Sequence, residues 1–132
     1  MHVRLLPSFD DNYIFALDGR AGTVVVDPGD AAVVERHLAA QGSPLLAMLV
    51  THHHPDHIGG LATLAARWPQ ARRIGPADAR IPALGEIVGD GDRVHVGEWD
   101  FEVMALPGHT RSHLAYRCGE HLFCGDVLFS LG

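Results

Sequence analysis

The sequence predicts an α/β domain, on two observations. Residues 23–50 run as a β-branched segment, a capped amphipathic helix and a continuous apolar segment, and a dense histidine loop begins where that last segment ends. At 132 residues the chain amounts to one domain, and its 47% hydrophobic and 20% charged residues supply a core and exclude disorder. Residues 3–6 and 13–17 read as strands, and Asp18-Gly19 marks a tight turn before Thr23-Val24-Val25-Val26, so the chain opens as an antiparallel meander. Asp30 is placed to cap a helix running to about Gln41, Gly42 ends it, and Val34, Leu38 and Gln41 share a stripe. Residues 45–50 are apolar throughout, which suits a strand covered on both faces. A second helix is predicted over 58–68, where Leu61, Leu64, Ala65 and Trp68 recur at helical spacing and Pro69 stops it. Ile74, residues 94–96 and residues 99–105 then alternate as short strands, and 113–117 with 121–124 form a last hairpin.

Composition excludes several function classes. The net charge is −6 and Arg72-Arg73 is the one adjacent basic pair, which argues against a nucleic-acid partner. All 10 basic residues are arginine, so Schiff-base chemistry and a phosphate-binding Walker lysine are excluded. No stretch approaches the ~18 apolar residues of a membrane span, and Pro7 interrupts the start. A soluble, cytoplasmic protein without a membrane partner is expected. The turn Cys118-Gly119-Glu120-His121 would pair residue 118 with 121 and 124 with 115, so the sulfurs of Cys118 and Cys124 do not face each other. Free thiols and a reducing compartment are expected.

Histidine is the excess: of 10, four fall within positions 52–57. Thr51-His52-His53-His54-Pro55-Asp56-His57 lies between a buried strand and a helix, where ligands collect in α/β sheets. Four imidazoles and a carboxylate there would be costly to desolvate without a ligand, which favours metal binding. His52 and His54 can converge on one ion while Asp56 and His57 turn toward a second. His53, on the opposite side of the chain, reads as a supporting group. Two later segments, Pro107-Gly108-His109-Thr110 and Cys124-Gly125-Asp126, each follow a predicted strand. They offer a third imidazole, His109, and a carboxylate, Asp126, able to bridge two ions.

This pattern, T-H-x-H-x-D-H followed by a later His and then an Asp, resembles the metallo-β-lactamase superfamily. Within it, Phe9-Asp10-Asp11-Asn12-Tyr13, Val26-Asp27-Pro28-Gly29-Asp30, Gly108-His109-Thr110 and Gly125-Asp126-Val127-Leu128-Phe129 are similar to hydroxyacylglutathione hydrolases, the glyoxalase II family, from end to end of the chain. The resemblance implies an αββα sandwich holding two divalent metals, zinc or else iron or manganese, with one or two in this chain. It implies that His52, His54 and His109 hold the first ion and Asp56 and His57 the second, with Asp126 bridging. Asp56 would be the catalytic second-metal ligand beside the attacking hydroxide, and Asp27, His53 and His113 would be supporting residues. Where the family carries Thr after the bridging Asp, this chain has Val127, one hydroxyl fewer.

The implied activity is hydrolysis of a glutathione thioester, S-lactoylglutathione to D-lactate and glutathione, as in methylglyoxal detoxification. Two ions would lower the pKa of a shared water, and no protein nucleophile is needed. Consistent with that, the sequence has no G-x-S-x-G elbow. Family members are about twice this length, and the chain ends six residues after Asp126. Residues 1–132 are therefore expected to be the N-terminal portion of the hydrolase domain, its sandwich incomplete at the C-terminal side. A further second-metal His and the glutathione-binding C-terminal region would be absent, and substrate-binding residues are not identifiable. The apolar terminus from Val127 to Gly132 suggests self-association through the uncovered face. Two alternatives stay open: another enzyme of the same fold, such as an iron persulfide dioxygenase, and a truncated, non-catalytic metal-binding fragment.

Overall fold

The structure, a computed structural model, describes residues 2–8, 12–106, 113–125 and 127–130, with His2, Asn12, Asp56 and 127–130 described by backbone alone. The opening meander is β1 (His2–Ser8), β2 (Asn12–Asp18) and β3 (Thr23–Val26), antiparallel as expected. Its second turn is wider than Asp18-Gly19 suggested: Asp18 pairs with Thr23, and Gly19 N donates to Gly22 O at 3.0 Å across a four-residue loop. Helix α1 (Ala31–Gln41) has the anticipated ends. The Asp30 carboxylate accepts from Ala32 N at 3.0 Å, and Gly42 closes the helix at φ 60°, a left-handed conformation that glycine adopts without strain. Its buried stripe is Val34, His37 and Leu38, not Val34, Leu38 and Gln41. Gln41 is exposed, and His37 can be buried because its Nε2 lies 2.9 Å from the Asp18 carboxylate.

Strand β4 (Leu45–Leu49) runs parallel to β3, completing the strand–helix–strand unit. The helix predicted over 58–68 is two pieces, α2 (Pro55–Ile58) and α3 (Leu61–Arg67), broken at Gly59-Gly60. The break has a packing cause. Gly60 N donates to Pro28 O at 2.9 Å, and a Cβ at Gly60 would lie 2.6 Å from both Pro28 O and Ala31 N. Those are backbone atoms of the loop after β3 and of the first residue of α1, and cannot swing aside. Gly60→Ala is therefore expected to destabilise the chain by about 1–3 kcal/mol, read as a lower denaturant midpoint; an unchanged midpoint would mean that the two loops do not pack this closely.

Strands β5 (Arg72–Gly75) and β6 (Glu86–Ile87) complete a six-stranded sheet ordered β1-β2-β3-β4-β5-β6, in which the segment from β3 to β6 is parallel. The two-residue β6 has no sequence periodicity to announce it. A second, antiparallel sheet contains β7 (Arg93–Val96), β8 (Trp99–Ala105), β9 (Leu114–Cys118), β10 (His121–Cys124) and β11 (Val127–Ser130), in the order β11-β10-β9-β8-β7. Strand β11 occupies the apolar terminus, for which no strand was expected.

The sheets pack face to face. Phe15, Leu17, Val24, Val26, Leu49 and Ile74 of the first meet Val94, Trp99, Phe101, Val103, Tyr116 and Phe123 of the second. The other face of the first sheet buries Ile14, Val25, Met48 and Val50 beneath Val34, Leu38, Leu61 and Leu64 of α1 and α3. Among the described residues this makes three layers, helices on one sheet and that sheet on another, which is the αββα arrangement up to its second sheet. Cys118 and Cys124 are free, and burial raises both thiol pKa values, leaving weak nucleophiles. No helix among the described residues is long and apolar enough to cross a membrane.

Candidate metal centre

Strands β3 and β4 are parallel neighbours, so their C-terminal ends open side by side, and the predicted site residues follow each. Asp27 comes directly after β3 at φ 54°, a conformation few residues other than glycine adopt, though aspartate tolerates it better than most. It is 1% exposed. The turn aims its carboxylate at the loop after β4: Oδ1 accepts from Thr51 N at 2.7 Å, and Oδ2 accepts from Thr51 Oγ1 at 2.6 Å and lies 3.2 Å from His57 Nδ1.

A carboxylate only accepts, so these contacts set proton positions beyond the residues that touch it. His57 Nδ1 carries a hydrogen toward Asp27, so the neutral imidazole presents its lone pair at Nε2. The Thr51 hydroxyl spends its one hydrogen on Asp27, so at its 2.7 Å contact with His52 Nδ1 it accepts, and His52 likewise keeps a bare Nε2. Two imidazoles are thus held in the tautomer that can ligate a metal, the role carboxylate and hydroxyl partners play behind metal-bound histidines. Ligand-type atoms of Asp27, His52 and His57 lie within 4.8 Å of one another.

His52 is the centre of the cluster. Its ring lies 4.5 Å from His54, 4.3 Å from His57 and 4.5 Å from His113, centroid to centroid, with His113 stacked on it. Gly125, after β10, completes the wall: a Cβ there would come within 3.3 Å of His52 Cε1 and 3.4 Å of His113 Nε2. The histidine loop is also tied to the second sheet, since Leu114 N donates to Thr51 O at 2.8 Å and the buried Tyr116 hydroxyl donates to Val50 O at 2.6 Å.

Of the sequence-predicted residues, the structure brings together His52, His54, His57, Asp27 and His113. It places His53 to one side, its ring 5.0 Å from His54. The side chain of Asp56, and His109 and Asp126 entirely, lie outside the described residues. The remaining histidines with described side chains lie elsewhere: His37 on Asp18, His95 with its Nδ1 2.6 Å from Asp100 Oδ1, and His121 beside Phe123. Sequence reading missed how much Asp27 does. The signal available was an aspartate directly after a buried strand, ahead of Pro28-Gly29.

Burial lowers the His52 pKa from 6.5 to about 4, with the neighbouring His57, His113 and His54 adding to the effect and Asp27 opposing it. The folded-state value lies below the unfolded one, so as pH falls the unfolded chain takes up this proton first. The metal-free chain is accordingly expected to lose stability as pH drops from 6.5 toward 4, with no further loss from His52 below that. Thermal melts across this window should show a shallower slope in His52→Gln; equal slopes would count against a neutral, buried His52.

The fold belongs to a known class. The chain belongs to the metallo-β-lactamase superfamily, whose family model matches residues 8–132. Among curated relatives it is 52% identical over 135 residues to a hydroxyacylglutathione hydrolase from Xanthomonas axonopodis pv. citri, and 53% identical over 133 residues to one from Stenotrophomonas maltophilia. Each alignment covers 100% of this chain and 52% of the relative, so the chain spans about half the length of the curated relatives it matches. Among solved structures, ETHE1 from Myxococcus xanthus superposes with a TM-score of 0.78 at 32% identity, covering 92% of this chain and 56% of that one.

Proposed function

We propose that the chain carries the metal centre of a glyoxalase II-type hydrolase that cleaves a 2-hydroxyacyl thioester of glutathione, S-lactoylglutathione being the test substrate. What carries this reading is the identity of about half of all positions, across the whole chain, to hydroxyacylglutathione hydrolases. The donor set fits a divalent ion: His52 and His57 present unprotonated nitrogens whose tautomers Asp27 and Thr51 enforce, and burial keeps His52 neutral at pH 7. In this assignment His52, His54 and His109 would hold one ion, Asp56 and His57 would hold a second, and Asp126 would serve both. Such ions supply Lewis acidity and a water of near-neutral pKa.

The chain's own residues supply orientation. Asp27 holds both ligand rings from behind and is too engaged with Thr51 and His57 to serve as a ligand itself. Tyr116 and Leu114 fix the loop's height above the second sheet. Free, unreactive thiols suit a reducing cytoplasmic compartment, where glutathione is abundant. The test is release of free thiol from S-lactoylglutathione by the chain loaded with zinc, iron or manganese. Metal-dependent turnover supports the assignment. One iron per chain with oxygen uptake and no hydrolysis would replace it with the dioxygenase reading, and tight metal binding with neither reaction would leave a metal-binding fragment.

A further inference from the structure

The third parallel strand in the row also sends a carboxylate to the histidine loop. Strand β5 neighbours β4, and the segment that follows it carries Asp78. The Asp78 side chain is 5% exposed, and its Oδ2 lies 3.6 Å from His53 Nδ1. Its carboxylate is anchored on the other side: Oδ1 accepts from Arg80 N at 3.0 Å and Nε at 2.9 Å, and Oδ2 from Arg80 Nη2 at 2.7 Å. A tight turn sets its backbone, with Asp78 N on Pro76 O and Ile81 N on Asp78 O. Enclosing a carboxylate is costly unless it is hydrogen-bonded, and Arg80 supplies a two-pronged guanidinium contact as well as a backbone N–H.

The same carboxylate faces His53, whose Nδ1 is enclosed and has no hydrogen bond among the described residues. His53 in turn packs at 65° against His54, and His54 packs edge-on against His52. The exposed His54 ring is thus held between two imidazoles, one backed by Asp27 through Thr51 and the other facing Asp78.

We propose that Asp78 is a positioning residue of the metal loop, acting through His53 to hold the His54 imidazole in place. The proposal rests on the reading of this loop as a metal centre, but its geometry exists without the ion. At 3.6 Å the Asp78–His53 contact is longer than a hydrogen bond, and a shift of about 0.7 Å brings it to hydrogen-bond length. Asp27 and Asp78 then flank the loop after β4 from its two neighbouring strands.

Side-chain NMR of the full 132-residue chain with labelled histidine, before and after zinc is added, tests this. Asp78→Asn is expected to move and broaden the His53 and His54 ring resonances while leaving His37 and His95 in place, and to raise the zinc dissociation constant about tenfold. His53→Ala should move the His54 resonance in the same way, and adding Asp78→Asn to that background should move it no further. If Asp78→Asn does not fold, Arg80→Ala keeps the carboxylate but loosens its anchor, and the same two resonances should shift. An unmoved His54 resonance in whichever of these variants folds, or an equal shift with and without His53, overturns the proposal. Failure of the wild-type chain to take up zinc would instead count against the hydrolase reading, and the zinc-free spectra would still decide the role of Asp78.

Discussion

Asp27→Ala is expected to destabilise the chain by about 3–5 kcal/mol and to abolish tight metal binding. The substitution strands three buried donors, Thr51 N, Thr51 Oγ1 and His57 Nδ1, each costing about 1–3 kcal/mol when left unpaired and not fully additive. It also puts alanine at φ 54°, where a Cβ without a local hydrogen bond is strained. A loss of this size is a large fraction of the whole stability of a small domain. Asp27→Asn separates the two effects. It keeps the shape and the tolerance of the left-handed backbone, but its amide group has one acceptor oxygen and two donor hydrogens in place of two acceptors. The chain should fold with Asn, bind metal about 10–100-fold more weakly, and lose the fixed tautomers of His52 and His57. Urea unfolding and zinc competition with a chromophoric chelator measure the two quantities. A fully stable Asp27→Ala chain would show that the carboxylate is not the hub of the loop.

His52→Gln is expected to weaken metal binding more than about 100-fold, beyond the range for a residue that only supports a ligand, while leaving the fold intact. In the proposed assignment His52 supplies a ligand nitrogen, and its ring is also the surface on which those of His54, His57 and His113 pack. Glutamine is close in volume, so loss of packing should be minor. The metal-free variant should even be less acid-sensitive than wild type, because it no longer carries an imidazole whose pKa burial pushes down to about 4. A competition titration on the folded variant measures the first effect, and retention of wild-type affinity would exclude His52 from the metal shell.

Local chemistry was readable wherever it decided structure by itself. Asp30 and Gly42 bound α1 at both ends, the run Thr23–Val26 is β3 as expected, and the apolar run from Leu45 became a central parallel strand. Long-range packing was not readable. Leu61, Leu64 and Trp68 do have helical spacing, but nothing in residues 58–68 says that Gly59 and Gly60 must break the helix to let the loop at 27–30 approach. Gln41 was placed on a buried stripe because its spacing fits, whereas His37 is buried through an aspartate 19 residues away. The site divides in the same way. The histidine loop is a contiguous motif and shows in the sequence, and the structure gathers His52, His54 and His57 with His113 around one ring. Asp27 and Asp78 are single carboxylates on neighbouring loops, and only the strand order of the first sheet shows that they flank the loop between them.

The most direct test of the central claim, that Asp27, Thr51, His52 and His57 form the frame of a metal centre, is the metal content of the full chain measured beside its His52→Gln variant. The account predicts at least one tightly held divalent ion per wild-type chain and a content near background in the variant. A folded wild-type chain that carries no metal, and takes up none when offered zinc, iron or manganese, would contradict it.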